Sequence, residues 1–244
     1  DEYMMGFGKQ VLVEVSDGSV SVRDYGRGIP LDKVRDVSSK MNTGAKYDSK
    51  AFKKSVGLNG VGIKAVNALS THFFIQAYRD GMCKSISYAC GEVVEESEIV
   101  PTDEPNGTLV QFTPDKTIFV DYEYKLDYIE PLIKNYVFLN TGLAIMLNGR
   151  KYLSRHGLVD LLNEYMTSEP LYEPIHLKGK DIEVTITHGT ENGENISSFV
   201  NGQNTIHGGT HLSAFREGVA KVIKDFFKKD FDPKDVRQSI VGAI

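Results

Sequence analysis

The chain has 244 residues, 41% hydrophobic and 25% charged, with a formal net charge of −5, which suits one large globular domain or two of ordinary size. The acidic balance excludes a chain whose main surface grips DNA, while leaving room for a local basic patch. No apolar run is long enough to span a membrane and no leader peptide is visible, so a cytoplasmic location and reduced thiols at Cys83 and Cys90, which lack CxxC spacing, are expected.

The opening stretch, Asp1-Glu2-Tyr3-Met4-Met5-Gly6-Phe7-Gly8, reads as the close of a helix whose start precedes residue 1. Residues 9–16 and 19–24 alternate apolar and polar around Asp17-Gly18, which predicts a hairpin with a type I′ turn. A short helix is expected over 31–41 and a loop over 46–60. A helix over 61–70 should bury Val61, Ala65, Ala68 and Leu69. Strands follow at 73–78, 84–88 and 108–113, then a helix over 122–139 bent near Pro131, a strand at 143–147 and a helix at 156–166. The prolines within 167–174 suggest a boundary, giving domains 1–170 and 171–244. Beyond it come strands at 182–187 and 196–201 and a long helix capped by Thr210, with Leu212, Phe215, Val219, Val222 and Phe226 as its apolar stripe. The chain stops inside a strand-like run, residues 239–244, so both ends look cut from something longer.

Strand alternation places Val20, Val22 and Asp24 on one face. The valines require burial, so Asp24 is aimed inward, where a carboxylate needs donors. It is either a cap for the turn that follows or the floor of a pocket. The next residues, Gly26-Arg27-Gly28-Ile29-Pro30, form a tight turn that lets a ligand approach backbone, which favours the pocket. Gly57-Leu58-Asn59-Gly60-Val61-Gly62 leads into a helix and can turn backbone N–H groups toward phosphate. Its spacing differs from that of the P-loop and from the Rossmann fingerprint. Lys46, Lys53 and Lys54 could reach the same phosphates or simply be solvated. His207 and His211 are four apart, but Gly208-Gly209 between them disfavours a shared zinc site on one helical face.

Taken in order, the motifs DYGRGIP, TGAKYD, GLNGVGIKAVNALS, NGTLVQF and GGTH resemble the ATP-binding subunit of type IIA DNA topoisomerases, the B subunits of gyrase and topoisomerase IV, over nearly the whole chain. The resemblance implies an α+β fold: a GHKL (Bergerat) α/β sandwich that binds ATP, followed by part of a transducer domain with a left-handed βαβ crossover. Carried over, Asp24 would accept from the adenine amino group, Arg27 would border the pocket paired with Glu2, and Ile29 and Pro30 would line it. Thr108 would support Asp24 and an adenine-side water. Gly57, Leu58, Asn59, Gly60, Val61 and Gly62, with Gly28 in the earlier turn, would complete the nucleotide site. Lys46 matches a lid lysine, and Phe52 stands where the family has a tyrosine facing the nucleotide.

Three departures stand out: Asn59 replaces the common histidine, the stretch after Pro30 is short, and Ser85 stands where many bacterial members have an arginine at the pocket mouth. They suggest topoisomerase IV rather than gyrase. The family's catalytic Glu and Mg²⁺-binding Asn would precede residue 1, and its transducer lysine would follow Ile244, so no catalytic or metal residue is expected within the chain. The implied parent is an ATP-hydrolysing topoisomerase that dimerises, acts on DNA and works with an A-type subunit carrying the cleavage tyrosine. This chain alone would be monomeric and inactive. The alternative is a non-hydrolysing nucleotide-binding or interaction module of the same superfamily.

Overall fold

The computed structural model describes residues 2–41 and 60–244. The chain packs into two compact units, Asp1–Ser154 and Arg155–Ile244.

In the first unit the described strands are β1 (Gln10–Ser16), β2 (Ser19–Asp24), β3 (Ser70–Arg79), β4 (Met82–Ala89), β5 (Glu92–Glu96), β6 (Val100–Pro101), β7 (Gly107–Pro114), β8 (Ala144–Leu147) and β9 (Arg150–Tyr152). They form one sheet in the order β5-β4-β3-β7-β2-β1-β8-β9, with β6 also paired to β4. All pairings are antiparallel except β1 with β8. The register sets Val22 opposite Val13 and Val110, and Ile75 opposite Val110 and Ile86. Because cross-strand partners share a face, these residues make one continuous apolar surface.

The helices of this unit lie on that surface. They are α1 (Val34–Ser39), entered through a 3₁₀ turn at Leu31–Lys33, α2 (Gly62–Ala68) and α3 (Leu126–Leu139). Val34 packs with Phe73, Ile75, Ala77, Ile86 and Tyr88, joined by Ile29, Ile63 and Val66. Ile133 and Val137 of α3 pack with Ile145 and Leu147 and with the β1 valines. The result is a two-layer sandwich, the simplest way for a sheet with one apolar face to bury it. Tyr88 is fully buried and keeps its hydroxyl 2.7 Å from Ser38 Oγ.

Four local expectations change. The β1–β2 hairpin has the expected two-residue turn, but of Asp17 and Gly18 only Gly18 takes a positive φ, so the turn is not type I′. Helix α3 begins at Leu126, four residues after Tyr122, and holds Pro131 within it. Strands β5 and β6 have no counterpart among the expected elements. In α2 the expected stripe is the outer one: Val61 and Leu69 are exposed, while Lys64, Asn67 and Ser70 are buried. The inward set follows the helical period, but it includes polar residues that find hydrogen-bond partners once buried. Asn67 Nδ2 donates to the Ser38 carbonyl at 3.0 Å, and Ser70 Oγ donates to the Val66 carbonyl at 2.6 Å.

The second unit contains α4 (Leu158–Tyr165), β10 (Ile175–Lys178), β11 (Glu183–His188), β12 (Asn195–Ser197), β13 (Phe199–Val200), β14 (Gln203–Asn204), α5 (Thr210–Phe227), α6 (Pro233–Val236) and β15 (Ile240–Ala243). The sheet order is β10-β11-β15-β12, and β13 pairs with β14 in a separate hairpin. Strands β12 and β15 run parallel with α5 and α6 between them, a βαβ crossover. Helix α4 buries Leu158, Leu161 and Leu162 and packs on β11 and β15. The division between units therefore falls before α4, not near residue 170. The N-cap of α5 is Gly209, with Thr210 the first helical residue. Leu212 and Phe215 of its stripe pack against Val184, Ile196 and Ile244, whereas Val222 and Phe226 are 65% and 77% exposed. Among the described residues, no helix is long and apolar enough to cross a membrane.

Candidate nucleotide-binding site

Asp24 ends β2 on the helix-covered face, opposite Val11, as the alternation requires. It is half-buried, and its Oδ1 accepts from the Gly26 backbone N–H at 2.8 Å. Burial pushes its carboxyl above the ordinary range. The Gly26 N–H, the Arg23 cation and the Thr108 backbone N–H pull the other way, and Glu2 adds to the rise. An ionised carboxylate offers about four acceptor positions. The Gly26 N–H leaves capacity for a ligand N–H, so Asp24 fits an exocyclic amine of a base.

Thr108 is the second residue of β7, opposite Ala77, so Asp24, Thr108 and Ala77 lie in successive strands at one end of the sheet. Two glycines let backbone segments meet closely at this end. Gly28 has φ +78, and a Cβ there would lie 2.2 Å from the Tyr78 carbonyl oxygen; Gly107 has φ +143, with a Cβ 2.1 Å from the Asp24 carbonyl oxygen. No side chain fits either position.

Arg27 is held by Glu2, as expected. Its Nε and Nη2 donate to the two Glu2 oxygens at 2.9 Å each, and its backbone N–H donates to Glu2 Oε2 at 3.0 Å. This bidentate contact holds the Glu2 carboxyl below its usual range and raises the Arg27 guanidinium. The guanidinium also lies 4.6 Å from the centroid of the Phe7 ring. Ile29 packs with the core cluster under α1 and α2, whereas Pro30 is exposed and leads the 3₁₀ turn, its carbonyl accepting from Lys33 N–H at 2.8 Å.

Gly60, Val61 and Gly62 precede or open α2, which lies on the same face as Asp24 through Ile63 and Val66. Lys46, Phe52, Gly57, Leu58 and Asn59 lie outside the described residues. Sequence reasoning missed Lys64. It is buried on α2 with its Nζ donating to the Gly60 carbonyl, and burial lowers the pKa of its ammonium. A lysine two residues after the last glycine of the loop is the signal that could have found it. On β4, Ser85 pairs with Gln76 on the face away from Asp24. The β4 cation on the Asp24 face is Lys84, 2.7 Å from Glu96, which also takes Arg35 at 3.1 Å. In the second unit, His211 Nε2 lies 3.2 Å from Thr205 Oγ1.

A family model described as DNA gyrase B matches residues 157–244. The chain is 42% identical over its full length to the B subunit of DNA topoisomerase 4 from Borreliella burgdorferi, and 32% identical over 99% of its length to the B subunit of DNA gyrase from Streptococcus pyogenes. This chain belongs to the type IIA topoisomerase B-subunit family. It covers 41% of each of those two relatives. Family likeness extends to the fold. The 43K ATPase domain of Thermus thermophilus gyrase B, solved with an aminocoumarin, superposes with a TM-score of 0.77 at 24% identity, covering all of this chain and 71% of that one. The ATPase region of Saccharomyces cerevisiae topoisomerase II gives 0.79 at 20% identity, over 96% of this chain and 66% of that one. The α/β sandwich of the first unit is thus the GHKL-type ATPase fold.

Proposed function

We propose that this chain is the ATP-binding and transducer region of a type IIA DNA topoisomerase B subunit, of topoisomerase IV type. The larger protein would couple ATP binding and hydrolysis to passage of one DNA duplex through another, as a dimer of B subunits working with an A-type subunit that cuts the strand. The subtype rests on the Borreliella relative, whose identity exceeds that of the gyrases. The observation that carries the reading is the half-buried Asp24 carboxylate, bracketed by the Gly26 and Thr108 N–H groups at the open end of a GHKL sheet.

In this reading Asp24 accepts from the adenine amino group, with Thr108 holding the carboxylate in place. Gly28 and Gly107 keep the base slot free of side chains, Ile29 gives it an apolar wall, and the Glu2–Arg27 pair borders it. Gly60, Val61, Gly62 and Lys64 receive the phosphates, together with Lys46, Gly57, Leu58 and Asn59, and Phe52 faces the nucleotide. Mg²⁺ would offset phosphate charge when bound. Among the described residues no three His, Cys, Asp or Glu side chains come together to hold it.

The reading is tested by calorimetric titration of the chain with ADP and GDP. Guanine sets a carbonyl where adenine has its amine, so two acceptors would face each other and the bond to Asp24 would be lost. A preference for ADP of about tenfold or more is expected, from the ~1.5–3 kcal/mol of a hydrogen bond to a charged group. Equal affinity for the two would show that Asp24 does not read the base.

A further inference from the structure

Arg23 precedes Asp24 on β2, so its side chain leaves the opposite face of the sheet. It is 8% exposed. Its guanidinium lies between two tyrosine rings, 4.7 Å from the Tyr25 centroid and 4.2 Å from that of Tyr78. Nη1 donates to the Asp24 carbonyl, and Nη2 donates to the Pro105 carbonyl at 2.7 Å. Among the described residues no carboxylate lies within ion-pair distance of it.

A cation taken out of water for two carbonyls and two ring faces gives up much hydration. What the arrangement achieves is specific. The two carbonyls belong to the two backbone segments that carry the candidate base site. Asp24 ends β2 and opens the turn to Gly28, and Pro105 precedes Asn106-Gly107-Thr108 at the start of β7. The guanidinium reaches both because Gly107 lacks a side chain; a Cβ there would lie 2.2 Å from Arg23 Nη1. The Tyr78 ring that stacks on Arg23 belongs to the residue whose carbonyl crowds Gly28. A planar fork that bonds two carbonyls while lying over two aromatic rings is available to arginine and not to lysine.

We infer that Arg23 is a positioning residue for base recognition, its guanidinium pinning the ends of β2 and β7 together so that the Asp24 carboxylate and the Thr108 N–H meet. The inference rests on the nucleotide reading of this site. Arg23 touches no ligand in it and acts through the backbone of Asp24 and Thr108.

The test uses Arg23→Lys, Arg23→Gln, Tyr78→Leu and Asp24→Asn in the full chain. Calorimetry measures ADP and tripolyphosphate, thermal unfolding measures stability, and carbon NMR follows titration of the Asp24 carboxyl, which Arg23 and Glu2 face in the native chain. Arg23→Lys should weaken ADP about tenfold, the scale of one hydrogen bond to a charged group, and leave tripolyphosphate unchanged. Arg23→Gln, which removes the cation as well, should also move the Asp24 titration upward. A residue that only stabilises the fold would lower the unfolding temperature and leave the ADP affinity of the folded variant unchanged. If the Arg23 variants do not fold, Tyr78→Leu, which removes one ring face and keeps the fork, should weaken ADP in the same direction by a smaller factor. Native ADP affinity in folded Arg23 and Tyr78 variants would overturn the inference. Native ADP affinity in Asp24→Asn, with weakened ADP binding in the Arg23 variants, would instead overturn the assignment of Asp24 in the nucleotide reading.

Discussion

Replacing Asp24 with alanine separates ligand recognition from folding. On the ligand side, the variant loses a hydrogen bond to a charged acceptor. Such a bond contributes about 1.5–3 kcal/mol, so affinity should fall ~10–150-fold. The carboxylate is half-buried and its titration is raised by that burial, so part of its desolvation is already spent in the free protein. This pushes the expected loss toward the upper half of the range. On the folding side two terms oppose. The Gly26 N–H loses its acceptor, at a cost of about 1 kcal/mol or more, while removing a carboxylate disfavoured by burial returns a similar amount. Net stability should therefore change by no more than about 1–2 kcal/mol. Calorimetry with an adenine-pocket inhibitor measures the first quantity, since such a ligand depends little on phosphate contacts, and urea unfolding measures the second. A folded variant that binds the inhibitor as tightly as the native chain would refute the assignment of Asp24.

Acidification should weaken the same binding. Because the folded-state pKa of Asp24 is raised, the cost of its buried charge is fully present above that pKa and is relieved as pH falls through it, so its contribution to stability improves while its power to accept from a ligand is lost. Glu2 behaves oppositely: its lowered pKa stabilises the fold above the unfolded value, and that contribution disappears as pH falls through the folded one. ADP affinity measured against pH should decline before the Glu2 contribution does, and the decline should be missing from Asp24→Asn. Gly28→Ala should destabilise by about 2–4 kcal/mol, because it combines positive φ with a Cβ 2.2 Å from the Tyr78 carbonyl oxygen; an unfolding curve like that of the native chain would contradict the close approach. Lys64→Met should keep the α2 packing, leave inhibitor affinity unchanged and weaken tripolyphosphate roughly tenfold. Unchanged tripolyphosphate binding would remove Lys64 from the phosphate end.

The hairpin and the face on which Asp24 lies were legible in the sequence, because each is set by local rules. Strand alternation fixes which side chains share a face, and an Asp-Gly pair closes a two-residue turn whatever its detailed type. The Glu2–Arg27 pair was reached through family resemblance; 25 positions separate the partners, and no local pattern joins them. The inward side of α2 was misread because its period was scored on apolar residues alone. Asn67 is buried since the Ser38 carbonyl, 29 residues away, awaits it. Arg23 is buried since Pro105, 82 residues away, offers a carbonyl and two tyrosines offer their rings. Val222 and Phe226 continue the apolar stripe of α5 yet are exposed, because the Val184–Leu212–Ile244 cluster packs only the first part of that helix. Helix α4 went to the second unit for a similar reason, since β11 and β15, which receive its leucines, come later in the chain. A side chain's period and turn chemistry belong to its neighbours in sequence. Whether a polar group can be buried depends on donors, acceptors and ring faces that only folding brings to it.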